Sequence, residues 1–415
     1  MNQRKLINRD SVLLWQGSAV SNIGNILYSI AIGIWVYNTT GSTALMGIMT
    51  SIGYVVKTFL SPLSGALVDR INRKKIICGT DLIRGFLMII AAVFAFNNQL
   101  EVWMVILIAF LSACCDTIFG PAIMTVLPQL VGKDDLIQAN SINQGTNYLI
   151  QMVGSACSGF LVVFFGVPLM ILINGISFII SSFTELFINI PVQKAEAVSI
   201  NIKLILQDLK DGLHYITSRK SLFYFLIAAF MLNLFGAGMS AILYPWCLAK
   251  GLSVEQYGIY LGIESFAAIL GMTLVSVIRI KGDKIKLIRN LLVLTTILNI
   301  ILSLTIGFIP LSGINALAAF CNTIFNAIIN GVMVSVIAEQ HRGKVFGLVN
   351  AYSCAGIALS TLLYGFISES FGVINTYILF ALLSLIPTVL YCVNKYIPRL
   401  ETDNTLDNTA IYDSK

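Results

Sequence analysis

The longest stretches without any charged residue constrain this chain more than any other feature. Positions 11–56, 136–184 and 290–338 hold no Asp, Glu, Lys or Arg over 46, 49 and 49 residues. One α-helix that crosses the hydrocarbon core of a bilayer needs about 20 apolar residues, so each stretch has room for two crossings and a short turn. None of them shows the alternation over about ten positions that marks a transmembrane β-barrel. The chain is therefore predicted to be an all-α polytopic membrane protein.

Apolar runs separated by Gly, Pro and charged residues predict 12 transmembrane helices in two six-helix bundles. The composition agrees, because only 11% of the residues are charged, whereas about 25% are charged in soluble domains. The approximate limits of the spans are 11–36, 44–66, 76–96, 102–126, 145–165, 169–190, 222–245, 257–278, 287–308, 312–337, 345–367 and 372–394.

The longest loop between spans divides the chain into its predicted domains. An N-terminal six-helix bundle covers 1–191, a linker covers 192–221, a C-terminal six-helix bundle covers 222–397, and 398–415 is predicted to be a disordered tail. Within the linker, apolar residues recur at helical spacing with charged residues between them, which predicts an amphipathic helix on the membrane surface. These apolar residues are Ile202, Ile205, Leu206, Leu209, Leu213 and Ile216.

The positions of Lys and Arg predict which way the chain is oriented. If the N-terminus is cytoplasmic, 23 of the 26 basic residues fall in or next to inner segments, and the exceptions are Lys57, Arg84 and Lys250. Because inner loops carry an excess of Lys and Arg, both termini are predicted to be cytoplasmic. The net charge of +6 is then a topology signal and gives no reason to expect a nucleic-acid partner.

One short basic segment connects the chain to a known family. The stretch SGALVDRINRKK (64–75) places five charged residues in its last seven positions, between predicted spans 2 and 3. Further segments are LWQGSAVSNIG, NTTGST, DRINRKKIICGTDLIRG, FGPA followed by LPQLV, and EQHRGKVFGLVN. With the six-plus-six arrangement, these segments resemble the major facilitator superfamily, and within it the macrolide-efflux-type branch of drug:proton antiporters. The resemblance covers nearly the whole chain.

The resemblance implies that the loop between spans 2 and 3 is a gate. As the family picture implies, Asp69 docks at the start of span 11, near Gly343–Lys344, and latches the two halves in the outward-open form. The alternative is that the basic residues of the loop only set the orientation. Asn72 departs from the family's usual Gly, although Asn also tolerates left-handed backbone. The candidate gating residues are Gly65, Leu67, Asp69, Arg70, Arg73 and Lys74.

Ionisable residues inside predicted spans are candidates for proton coupling, because such residues are costly in a bilayer and are functional by default. Lys57 and Asp116 stand near the middle of spans 2 and 4, where an ion pair would lower the burial cost of both; a purely structural pair is the alternative. Glu264 in span 8 is the second candidate proton site. Glu185 is expected to snorkel to the inner surface and to have a structural role, and Asp81 with Arg84 is expected to form an i,i+3 pair that supports the gating loop.

Amide side chains follow helical spacing in several spans and must turn away from lipid, toward partner helices or a wet cavity. Because spans 1, 4, 7 and 10 line the cavity in proteins of this fold, we expect substrate contacts from Asn22, Asn25, Asn233 and Asn326. Hydrogen bonding between helices is the alternative. Small residues at Gly154–Gly159 allow close helix packing in span 5. A cavity with amides and few fixed charges suits an amphipathic organic solute.

The resemblance implies a secondary active transporter in a bacterial cell membrane that exports amphipathic, macrolide-like compounds in exchange for protons. The alternatives are an exporter of an endogenous product, such as a siderophore, peptide or lipid precursor, and more remotely a membrane receptor or scaffold that transports nothing. The sequence lacks a phosphate-binding G-x-x-x-x-G-K-[ST] loop, which disfavours an ATP-driven pump. We expect no enzymatic activity, no cofactor, no metal site and a monomer.

Overall fold

The computed structural model describes residues 8–68, 71–132, 135–189, 202–278, 282–338 and 341–399. All regular secondary structure within these ranges is helical. A short 3₁₀ turn, Ile397–Arg399, follows the last helix. The helices are α1 Arg9–Thr40, α2 Thr43–Val68, α3 Arg73–Phe96, α4 Val102–Leu130, α5 Leu136–Glu185, α6 Ile202–Ser218, α7 Lys220–Gly236, α8 Met239–Ala249, α9 Val254–Val277, α10 Lys284–Leu304, α11 Phe308–Val336, α12 Arg342–Phe371, α13 Val373–Leu383 and α14 Leu385–Val393.

Eleven helices in the described ranges are long and apolar enough to cross a membrane. In this count α7 with α8 forms one candidate span, Lys220–Ala249, and α13 with α14 forms another, Val373–Val393. The helix α6 is not among them, because its 17 residues carry charges between the apolar positions. The chain is therefore a multi-span membrane protein.

The helix α5 differs from the two separate spans predicted for this part of the chain. It runs for 50 residues, but the backbone leaves the helical conformation at Gly166, with φ 76° and ψ 164°. Only glycine reaches this combination of angles readily, and Pro168 shortly afterwards removes a helical hydrogen bond. A further difference is the start of α5 at Leu136, nine residues before the predicted limit of 145, because polar residues that interrupt an apolar run do not interrupt a helix.

Residues with positive φ recur between the helices of both halves of the chain. Gly251 lies 210 positions after Gly41, Gly307 lies 209 positions after Asn98, and Gly372 lies 206 positions after Gly166. The letters FGV surround the last pair, at 165–167 and 371–373. The letters of the two halves show no strong repeat, because the common feature is a backbone conformation more than a set of letters.

The described residues divide into two compact units. One unit holds the described part of Met1–Ile200 together with Leu252–Ser265, and the other holds the described parts of Asn201–Gly251 and Phe266–Lys415. The first half of α9 therefore packs with the first unit, a detail absent from the predicted domain limits.

In the first unit, α1 packs along α5, α3 also packs on α5, and α2 packs on α4. A side chain at Gly24 of α1 would lie 3.0 Å from the Asn174 Cα of α5, so α1 approaches α5 closely only because this position is glycine. The same device joins α5 and α9, where a Cβ atom on Gly159 would lie 2.6 Å from the Val254 carbonyl oxygen and 3.2 Å from Gly258.

The second unit has its own apolar core. Residues of α7, α10, α11, α12 and α14 form it, and Leu222, Ile288 and Val332 are fully buried there. The helix α6 lies against the start of α12, since a Cβ atom on Gly212 would meet Leu348. Gly212 is buried while its neighbour Leu213 is 56% exposed.

The start of α3 corrects one expectation about the gating loop. Asn72 does not adopt a left-handed conformation; its φ is −56°, and its side chain caps α3 by accepting a hydrogen bond from the Lys74 amide at 3.0 Å. Asn is among the preferred N-cap residues. The Asn72 side chain thus caps the helix, which glycine cannot do because it has no side chain.

Candidate functional site

An ion pair connects two helices of the first unit. Lys57 stands in the middle of α2 and Asp116 in the middle of α4, and these two helices pack on each other. The Lys57 Nζ atom lies 3.0 Å from the Asp116 Oδ2 atom. The geometric expectation from the sequence is therefore met, whereas the role of the pair in proton coupling remains a prediction.

Arg84 adds a second cation to Asp116, and this contact was not foreseen. Its Nη1 atom lies 3.8 Å from Asp81 Oδ1 and 3.9 Å from Asp116 Oδ1, so one guanidinium is shared almost equally by two carboxylates. Arg84 stands in the middle of α3 and is buried, as is Asp81. The i,i+3 spacing predicted only Asp81 as a partner of Arg84. The position of Arg84 in the middle of α3 was the signal for a second ion-pair partner.

The surroundings of Arg84 fix the plane of its guanidinium. The Arg84 Cζ atom lies 4.0 Å from the centroid of the Phe178 ring on α5, an arrangement in which the ring face attracts the cation. On the side of α1, the Nη2 atom donates a long hydrogen bond of 3.5 Å to Asn25 Oδ1. Residues from α1, α3, α4 and α5 therefore converge on this one side chain.

A cavity of about 380 Å³ opens beside this network, between α1 and α5. Asn22 and Asn25, both predicted to contact substrate, line it. Asn22 donates a 2.8 Å hydrogen bond to Asn147 across the two helices. The cavity is thus rich in hydrogen-bonding groups, and Asn25 links it directly to Arg84. The complete lining is Asn22, Asn25, Ile26, Ser29, Asn147 and Gln151.

The other predicted cavity residues belong to the second unit. Asn233 is half-buried on α7, next to Gly356 of α12. Asn326 is exposed on α11, where its amide donates to the Asn322 carbonyl one turn earlier at 2.9 Å. Glu264, the second candidate proton site, lies in the first unit instead; it is half-buried on α9, two residues after Gly262, which packs against Ala156 of α5. The roles of all three remain predictions.

Glu185 does not snorkel as expected. It is the last residue of α5, yet its side chain is 1% exposed. Its Oε1 atom accepts a 3.3 Å hydrogen bond from Ser181, and its Oε2 atom has no hydrogen-bond partner among the described residues. The reason is the approach of α1, where Gly17 lets the helix backbone cover Ser181 and Glu185.

The structure describes only some of the predicted gating residues. Asp69 and Arg70 lie outside the described residues, and of Gly65 only its place in α2 is described. Leu67 is half-buried near the end of α2, and Arg73 and Lys74 are half-buried in the first turn of α3. The latch therefore remains a prediction.

At the start of α12, the described residues show an ion pair within the second unit. Lys344 Nζ lies 2.9 Å from Asp211 Oδ2 of α6, and this hydrogen bond holds the pKa of the exposed Asp211 carboxyl below its usual value. The helix that begins here is thus tied to the helix of the predicted linker.

Comparisons with known proteins agree with this architecture. Macrolide efflux protein A of Streptococcus pyogenes is 24% identical over 405 residues, which are 95% of this chain and 96% of that protein. The proposed bacilysin exporter BacE of Bacillus subtilis is 23% identical over an alignment of 423 positions, which covers 98% of this chain and 100% of that protein.

A solved structure and a family profile complete the comparison. The inward-facing, occupied structure of a bacterial homologue of the human lysosomal transporter Spinster aligns with a TM-score of 0.72 at 13% identity, covering 92% of this chain and 95% of that one. The profile of the transmembrane secretion effector family matches residues 7–413. With nearly the whole chain matched and the resemblance read from its motifs confirmed, the protein belongs to the transmembrane secretion effector family of major facilitator transporters.

Proposed function

We propose that this protein is a secondary active transporter that exports amphipathic organic compounds, macrolides among them, in exchange for protons by alternating access. The observation that carries the proposal is the Lys57–Asp116–Arg84 network beside the cavity lined by Asn22 and Asn25. Charges at the middle of membrane helices mark ion pathways. Here they touch, through Asn25, a space with groups that bind a polar solute.

The substrate class follows from the cavity and from the relatives. Amides and a hydroxyl offer hydrogen bonds without fixed charge, which suits a solute that carries several hydroxyl or carbonyl groups on a large apolar frame. Macrolide efflux protein A is similar over almost the whole chain. We extend its substrate class to this protein, with Asn233 and Asn326 as further contacts in the second unit and Glu264 as a second proton site.

Alternating access needs two bundles, and we propose twelve crossings in two groups of six. A straight helix of the 50 residues of α5 would be about 75 Å long at 1.5 Å per residue, more than twice the hydrocarbon core, so the helix kinked at Gly166 is best explained as two crossings. The recurrence of positive φ at intervals of 206 to 210 residues supports two repeated halves. In this arrangement both termini are cytoplasmic, Asp69 latches the halves, and one chain suffices for transport.

Transport of erythromycin by everted membrane vesicles tests the proposal. Vesicles from a pump-deficient host that expresses the wild-type protein should accumulate the drug when their interior is more acidic than the medium. Collapse of that pH gradient should stop the accumulation. Asp116→Asn should insert normally but lose gradient-driven accumulation, whereas Asp116→Glu, which keeps the carboxylate, should retain part of it. Normal accumulation by Asp116→Asn would remove Asp116 from the mechanism.

A second candidate is export of a product made by the cell itself. The similarity to BacE over the full length of both chains favours it. If the pH inside the vesicles changes after the gradient is applied but no macrolide accumulates, peptide antibiotics become the substrates to test. A receptor or scaffold would give neither response.

A further inference from the structure

Three carboxyl groups on α3, α4 and α5 of the first unit face only two described cations, and two of the three, Asp81 and Glu185, are buried. Asp116 has Lys57 at 3.0 Å and shares Arg84 with Asp81, so these four side chains balance in charge. Glu185 is the third carboxyl, and no described cation lies within ion-pair distance of it. An ionised carboxylate that is buried without a partner is so costly that the group keeps its proton instead.

The packing around Glu185 leaves a specific place for that proton. Its Oε2 atom is enclosed without a hydrogen-bond partner in the described structure, while Ser181 donates to Oε1. Ser181 also stands beside Asp81, which is fully buried on α3. While Asp81 and Asp116 are both ionised, a neutral carboxylic acid at Glu185 is therefore compatible with its surroundings, and an ionised one is not.

Among the described residues, the neighbouring elements bring no further cation within ion-pair distance of Glu185. The helix α1 covers it with Gly17, and α3 presents Asp81, Arg84 and the Cys78 thiol, with Lys74 one turn before that thiol. The helix α4 contributes Asp116 and the Cys115 thiol, and α2 contributes Lys57. In the described part of the chain, no group of three or more His, Cys, Asp or Glu side chains could hold a metal ion.

We propose that Glu185 and Asp81 form a further proton-binding site, distinct from Glu264 and connected to Asp116 through Arg84, so that a proton that binds at Asp116 drives another off Glu185. This relay rests on the proton-coupled transport proposed above. Protonation of the Asp116 carboxylate removes one negative charge, and Arg84 then pairs with Asp81 alone. The group now carries one excess positive charge. Loss of the proton from the Glu185 O–H bond to water restores neutrality.

The location of Glu185 suits the release of a proton. It is the last residue of α5. Four residues later Asn189 is exposed, and its backbone amide donates a 3.1 Å hydrogen bond to the Asp10 Oδ1 atom. In the proposed orientation this end of α5 faces the cytoplasm. Arg84 acts here as a positioning residue, because it transmits the charge state of Asp116 without carrying the proton itself.

Infrared spectroscopy of the purified full-length protein tests the site without any substrate, so its outcome does not depend on what is exported. Near neutral pH the wild-type protein should show the C=O band of a protonated carboxyl group. Glu185→Gln should lose that band, and the matched control Glu101→Gln, an exposed residue before α4, should keep it. A spectrum of Glu185→Gln identical to that of the wild type would overturn the site.

The relay itself is tested by Asp116→Asn, whose neutral side chain imitates the protonated state. The Glu185 band should be weaker in this variant than in the wild type at the same pH, and an unchanged band would refute the connection through Arg84. If Glu185→Gln fails to fold, Ser181→Ala replaces it: loss of the hydrogen bond to Oε1 should move the band, and an unmoved band counts against the assignment. Failure of erythromycin transport with these spectra as expected would refute the substrate and leave the proton site standing.

Discussion

Arg84 shows how a single side chain can hold a membrane protein's polar interior together. Its guanidinium is shared between Asp81 and Asp116, rests on the Phe178 ring and reaches Asn25. The planar, permanently charged fork of arginine is suited to several simultaneous partners, whereas the compact ammonium of lysine is not.

Arg84→Gln should therefore destabilise the protein, because it leaves Asp81 buried without its cation. Removing one partner of a buried ion pair costs about 3–5 kcal/mol, which thermal unfolding in detergent measures as a large drop in Tm. The double variant Arg84→Gln with Asp81→Asn should recover much of the loss, since no charge then remains unpaired. A double variant as unstable as the single one would show that the stacking on Phe178 matters more than the charge.

At the residue scale, the contacts that follow from a residue's depth in the membrane could be predicted from the sequence. The contacts that follow from how helices pack on each other could not. Lys57 and Asp116 were paired because both stand near mid-membrane on neighbouring spans, and they lie 3.0 Å apart. Glu185 was expected at the surface because it stands near a predicted span end. Its burial depends on where α1 crosses α5, and a linear pattern contains no information on that crossing.

At the scale of helices, glycine decides which elements approach each other. The small-residue run of α5 was expected to allow close packing, and Gly159 does meet Gly258 of α9. The partner helix could not be predicted from the sequence, because a run of small residues does not specify which helix packs on it. Helix boundaries were predicted to within a few residues where charge marks them, but the start of α5 was missed by nine because its first turns are polar.

Gly159→Ala should destabilise the first unit through this contact. The added Cβ atom would lie 2.6 Å from the Val254 carbonyl oxygen, which belongs to the backbone and cannot turn away. Overpacking of this kind costs about 1–3 kcal/mol. Gly145→Ala on the same helix is the matched control, because nothing lies within 4 Å of its Cβ atom; it should gain up to about 1 kcal/mol of helix propensity. Equal melting temperatures for the two variants would contradict the close approach of α5 and α9.

At the scale of the whole molecule, the recurrence of backbone conformations indicates two halves built on one plan. Positive φ occurs at a turn between helices in each half, and the intervals between matching positions differ by only four residues. A repeat of this kind is typical of transporters whose two halves move about a shared site. It is consistent with the two halves that span count and loop placement predict, although the letters of the two halves do not match.

The same plan makes a prediction about the topology, which the position of α6 decides. If α5 crosses the membrane twice, residues after Glu185 return to the side of the N-terminus, and the charged helix Ile202–Ser218 lies in the cytoplasm. Fusion of a fluorescent protein after Lys210 should then fluoresce, and alkaline phosphatase fused at the same position should be inactive. Phosphatase fused after Gly166 or Gly372, the two turns with matching φ, should be active. With a single crossing by α5 the reporters after Lys210 would give the opposite result, because every later segment would change sides, and the excess of Lys and Arg in those segments would face outward against the positive-inside rule.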